Sequence, residues 1–130
     1  MEPLASALDG MRVLVVEDEL LVAMMIEEVL CVAGCVIVGP VNDLPKALQA
    51  AREQAIDVAL LDVNLAGERV FPVAAVLAER SVPYVFMTGY GRGMLPVEYA
   101  NRLIIPKPFK LRDLTDNLSA ALRAADAPGR

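Results

Sequence analysis

The chain has 130 residues, enough for one domain with a substantial core, and 56% hydrophobic against 22% charged content excludes wholesale disorder. Its 12 basic and 17 acidic residues give a formal net charge of -5, which argues against a non-specific nucleic-acid binder. The count of histidine is 0, which excludes Ser-His-Asp and Cys-His catalysis, His-containing zinc sites and a phosphohistidine, so any phosphoryl chemistry must use a carboxylate.

Met1-Glu2-Pro3-Leu4 lacks the basic segment and long apolar core of a signal peptide. Gly34, Gly39 and Pro40 break the longest apolar stretch short of membrane-spanning length, so a cytoplasmic protein without a membrane partner is expected. Residues 1–10 read as an N-terminal arm, 11–124 as the domain and 125–130 as a tail. The first strand is predicted over Arg12–Glu17. A helix follows from Leu20 to Ala33, with Val22, Met25, Ile26, Val29, Leu30 and Ala33 as its core stripe and Gly34 as its stop. Strand two is Cys35–Gly39. The next helix runs from Leu44 to Gln54 with Asp43 as N-cap. Strand three is Asp57–Asp62, the loop Val63-Asn64-Leu65-Ala66-Gly67 follows, and a helix spans Val70–Glu79. Strand four is Tyr84–Thr88 and strand five Leu103–Ile105. The last helix runs from Leu111 to Ala124, with Leu111, Leu114, Leu118, Ala121 and Leu122 facing the core. Cys31 and Cys35 lack C-x-x-C spacing and read as reduced core thiols.

Strict strand–helix alternation predicts an α/β fold: a doubly wound, five-stranded parallel sheet of order 2-1-3-4-5 with helices on both faces. Gly91, Gly93 and Pro96 lower helical propensity between strands four and five, so the fourth helix is expected to be shortened. In such a sheet the strand ends share one rim, outside which ligands bind, with the switch point between strands one and three. Glu17-Asp18 and Asp62 flank that point, and Thr88-Gly89 and Lys107-Pro108 follow strands four and five. Alone, each has a bland explanation: a solvated strand end or N-cap, an ordinary turn, a surface lysine. Together they assemble three carboxylates, a hydroxyl and an ammonium. Three facing carboxylates repel, and a hard divalent cation removes that conflict. Mg2+ would take Asp18 and Asp62 directly, Glu17 through a water, and the backbone carbonyl of Asn64.

With these pieces in order, the sequence resembles the receiver domain of two-component response regulators. Arg12-Val13-Leu14-Val15-Val16-Glu17-Asp18-Glu19 is similar to the family's first strand and acid pair, and Leu60-Leu61-Asp62-Val63-Asn64-Leu65 to its phospho-acceptor strand. Thr88 and Lys107-Pro108-Phe109 match its hydroxyl and lysine positions. The resemblance implies that Asp62 accepts a phosphoryl group from a histidine kinase or histidine phosphotransfer protein in a Mg2+-dependent reaction. It also implies that Thr88 hydrogen-bonds the phosphoryl oxygen and Lys107 pairs with its charge. Gly89 would leave room for that approach and offer its N–H, and Tyr90 is the candidate gate.

Receivers usually carry Tyr or Phe three positions before the lysine, whereas this chain has Ile104. The segment Pro83-Tyr84-Val85-Phe86-Met87-Thr88-Gly89-Tyr90 is similar to the "FAT GUY" group of receivers, whose members are often stand-alone bacterial proteins, differing at Tyr84 and Met87. The loop Gly89–Met94 and the short helix after it are expected to carry the switch. With only a tail beyond Ala124, output is expected through an unknown partner protein, or through relay or drainage of phosphoryl groups. Two other readings compete. A haloacid-dehalogenase-type phosphatase needs an acid two residues after its nucleophile, where this chain has Asn64. A receiver-like module could instead bind its partner without phosphorylation. Leu20, Leu21 and Met24 fall off the core stripe near Asp18, and with Pro108 and Phe109 they form the predicted docking surface for the phosphodonor.

Overall fold

The computed structural model describes residues 7–89 and 95–126. Five parallel strands form the sheet: β1 (Arg12–Val16), β2 (Val36–Val41), β3 (Val58–Asp62), β4 (Tyr84–Thr88) and β5 (Ile104–Pro106). Their order is β2-β1-β3-β4-β5, as predicted. The helices are α1 (Leu20–Val32), α2 (Leu44–Glu53), α3 (Phe71–Glu79) and α4 (Leu111–Asp126). Between β4 and β5 the described residues contain only a three-residue 3-10 turn, Val97–Tyr99, in keeping with the expected shortening.

The central strands are apolar throughout because both faces are covered. Alternate residues serve opposite cores. Val13, Val15, Leu60 and Met87 pack toward α1 and α4. Leu14, Val16, Leu61 and Phe86 pack toward α2 and α3. Five strands of this kind align their C-terminal ends, and the loops there carry the polar groups.

Several boundaries differ from the sequence reading, each for a local reason. β2 runs on through Pro40 to Val41, because it is an edge strand and a missing N–H on its outer side costs no ladder bond. Gly39 sits there at φ 100, and a Cβ would come within 2.7 Å of the Val41 nitrogen. On α1 the buried residues are Ala23, Ile26 and Leu30, so the stripe is rotated from the predicted one and Met25 is exposed. Leu111 is likewise exposed, lining a groove of about 380 Å³ with Met25, Val29, Val32 and Thr115. Leu8, read as part of a terminal arm, is only 1% exposed and belongs to the core beneath α1. The loop after Asp62 contains a small antiparallel ladder, Asn64–Leu65 with Glu68–Arg69, that the sequence did not announce.

Candidate functional site

Glu17 follows β1 and is 1% exposed. Its Oε2 accepts from the Glu19 N–H at 3.0 Å. Its Oε1 lies 3.1 Å from Lys107 Nζ, an ion pair without hydrogen-bond alignment, so this buried oxygen has a charge partner and no donor. Asp62 ends β3, and its Oδ2 accepts from Lys107 Nζ at 3.1 Å. Lys107 follows β5, and its N–H donates to the Thr88 carbonyl at 2.9 Å, tying that segment to the end of β4. Glu19 Oε1 stands 3.7 Å from the same ammonium.

Asp18 is held from the other side of the cleft. Its Oδ2 accepts from the Ala66 N–H at 3.0 Å. Ala66 and Gly67 have φ values of 52 and 87, the left-handed pair of a tight hairpin turn. For alanine that conformation is strained, and such strain concentrates at functional loops. Val70 N–H donates to the Val63 carbonyl at 3.0 Å, so Asn64–Arg69, one step along the ladder, is the pair without mutual hydrogen bonds. The Asn64 carbonyl is therefore not consumed by the hairpin. Its side-chain Oδ1 accepts from the Gly67 N–H at 3.2 Å.

Burial and the neighbouring Glu17 carboxylate push the Asp62 carboxyl up to about 7, only partly offset by Lys107. Burial pulls the Lys107 ammonium down, but Asp62 and Glu17 outweigh it and the net shift is upward. One ammonium shared by two buried carboxylates leaves an excess of negative charge. Oxygens of Glu17, Asp18 and Asp62 lie within 4.8 Å of one another, so the set fits a hard divalent cation, for which the donorless Glu17 Oε1 is a ready acceptor.

Glu17, Asp18, Asp62 and Lys107 thus meet at one rim, with Thr88 buried at the adjoining strand end. A Cβ on Gly89 would meet nothing within 4 Å, so this conformation imposes no steric need for glycine there. Tyr90 and the rest of the expected switch loop to Met94 lie outside the described residues. Leu20, Leu21 and Met24 are 73%, 79% and 54% exposed. Pro108 is exposed too, whereas Phe109 is half-buried against the α1–α4 core. The sequence reading missed Glu19 as a third acid on Lys107, and the Ala66 amide as the clamp on Asp18. Neither carries a motif in the sequence.

The family model for the response regulator receiver domain matches residues 13–119. The chain belongs to that family. Receivers of known structure share its fold. SdrG from Sphingomonas melonis Fr1 is 39% identical at a TM-score of 0.73, covering 93% of this chain and 98% of that one. The receiver domain of PhyR from Erythrobacter litoralis is 26% identical at a TM-score of 0.81, covering 94% and 97%. Among curated relatives, the DNA-binding response regulator MtrA of Mycobacterium tuberculosis is 35% identical over 119 residues, 88% of this chain and 52% of that protein. The transcriptional regulatory protein PdtaR of the same species is 30% identical over 116 residues, 85% and 56% respectively. This receiver therefore spans about half the length of the curated relatives it matches. Among the described residues, no helix is long and apolar enough to cross a membrane.

Proposed function

We propose that this receiver is a phosphorylation switch in which Asp62 accepts a phosphoryl group from a histidine kinase or histidine phosphotransfer protein. The observation that carries the reading is the convergence of Asp62, Asp18, Glu17 and Lys107 on one cleft at the C-terminal rim of the sheet. An Asp62 oxygen attacks phosphorus in line, the phosphorus–nitrogen bond to the donor imidazole breaks, and an acyl phosphate forms. Water attack on phosphorus later releases inorganic phosphate and restores the carboxylate. This is a signalling cycle on the protein itself, with no separate substrate turned over.

Asp18 and Asp62 would hold Mg2+ directly, the Asn64 carbonyl would complete the protein ligands, and Glu17 would act through a bound water. Bound there, the cation neutralises charge on the transferring phosphoryl group. Lys107 is poised to leave Glu17 and pair with a phosphoryl oxygen, Thr88 to hydrogen-bond another, and the Gly89 N–H to donate to it. Tyr90 remains the proposed gate. The amide of Asn64 caps Gly67 and cannot serve as acid or base, which disfavours phosphatase chemistry of the haloacid-dehalogenase type.

With Mg2+ and acetyl phosphate, intact mass is expected to rise by one phosphoryl group in the wild type and not in Asp62→Asn. Equal labelling of the variant would remove Asp62 from this role.

A further inference from the structure

Ile104 occupies the position where receivers usually carry a rotating aromatic ring, yet the α2–α3 face of the sheet is rich in rings. Phe71 stacks on Tyr99, centroids 5.1 Å apart and planes inclined by 15°. Phe86 meets Tyr99 edge-on at 5.4 Å and 87°. Phe71 and Phe86 close the triangle at 5.7 Å. Tyr99 is buried between them.

The three rings rest on very different supports. Phe86 lies in β4, hydrogen-bonded into the sheet between β3 and β5. Phe71 begins α3, directly after the loop that leaves Asp62. Tyr99 ends a single 3-10 turn, held by its N–H to the Pro96 carbonyl at 2.9 Å and by the Arg102 N–H to its own carbonyl at 3.1 Å. A one-turn support is the easiest of the three to displace. Phe86 and Thr88 are two residues apart on one strand, so their side chains share a face. Tyr99 thus touches both arms of the site: the strand that ends in Thr88 and the helix that follows Asp62. Two residues earlier on the same turn, Val97 is 88% exposed, so any shift of Tyr99 is displayed at the surface.

We propose that Tyr99, gripped between Phe71 and Phe86, is the ring that reports phosphorylation, shifting with residues 95–103 when Thr88 is drawn toward Asp62. The inference rests on the phospho-acceptor reading of Asp62. Packed rings move between discrete arrangements rather than deforming smoothly, which is what a two-state reporter requires.

The test uses the full chain with Mg2+ and acetyl phosphate. Intact mass reports labelling, while the aromatic NMR signal of Tyr99 and hydrogen exchange over 95–103 report the switch. Labelling is expected to shift the Tyr99 signal and slow exchange. Tyr99→Phe should keep the slowing, and Tyr99→Leu should lose it at equal phosphoryl stoichiometry. A labelled wild type with an unmoved Tyr99 signal overturns the inference alone, as does persistent slowing in labelled Tyr99→Leu. If Tyr99→Leu fails to fold, the wild-type signal decides. An unlabelled wild type overturns the phospho-acceptor reading and this inference with it.

Discussion

Lys107 and Asp62 form the central contact of the cleft: one ammonium, 3.1 Å from Asp62 Oδ2, also stands 3.1 Å from Glu17 Oε1. The lysine side chain is 20% exposed and the two carboxylates 6% or less, so water screens the group poorly. Removing one partner of a buried ion pair leaves uncompensated charge, at a cost of roughly 3 kcal/mol. Lys107→Met should therefore destabilise the metal-free protein by that order at pH 8, measured by urea unfolding. The loss should shrink toward pH 5 as Asp62 takes up a proton. A loss independent of pH would mean that the lysine stabilises through its packing alone.

The acid cluster also sets the sign of the pH dependence. Asp62 titrates near 7 in the fold against an ordinary value of 3.8, so between these limits the folded state holds more protons than the unfolded. Stability then falls as pH rises across that window. Lys107, raised above 10.5, contributes fully at these pH values and loses its contribution only above them. Asp57, lowered from 3.8 mainly by the Arg12 backbone N–H, loses its contribution only as pH falls below that value. In EDTA the protein should accordingly be less stable at pH 8 than at pH 5.5. Asp62→Asn should abolish the fall and exceed the wild type at pH 8 by on the order of 1 kcal/mol. Unfolding curves in which wild type and variant keep the same pH slope would exclude this account.

The sheet order and the rim were legible in the sequence because fully buried parallel strands read as unbroken apolar runs, and each such run here stops at a polar residue. The helix face was less so. α1 is apolar on most sides, with Leu20, Leu21, Met24 and Val32 all exposed, so periodicity could not choose between neighbouring stripes. Leu8 escaped because the apolar residues before the first strand, Leu4, Ala5, Ala7 and Leu8, form a stretch too short to establish a period before Asp9-Gly10 interrupts it. The hairpin after Asp62 escaped because Ala66 adopts a positive φ that its residue type disfavours. Pairing of Lys107 with Glu19 depends on a bend no local pattern encodes.

Mg2+ binding separates the roles of the adjacent acids. Asp18 is oriented by the Ala66 amide, while Glu17 is already engaged with Lys107 and the Glu19 N–H. Asp18→Asn should weaken Mg2+ more than Glu17→Gln, as read by titration calorimetry. Glu17→Gln should in addition lower the Asp62 pKa, since the Glu17 charge is one of the forces raising it. Equal Mg2+ losses in the two variants would require Glu17 to be a direct ligand.

The exposed start of α1 should be where the phosphodonor rests. Leu20, Leu21 and Met24 are 73%, 79% and 54% exposed within the first turns after Asp18, where the solvent face of a helix is expected to be polar. A donor histidine must approach Asp62 in line, so the helix that bears it has to lie against this rim. Apolar side chains there can anchor a helical bundle, with Pro108 exposed across the cleft, while Phe109 is partly committed to the core. Leu21→Glu and Met24→Glu should slow transfer from a cognate phosphohistidine protein, on the order of tenfold for a loss of about 1.4 kcal/mol in docking. Acetyl phosphate needs no such surface, so labelling by it should be spared. Parallel loss of both reactions would make these side chains structural, and full activity with the protein donor would place docking on another face.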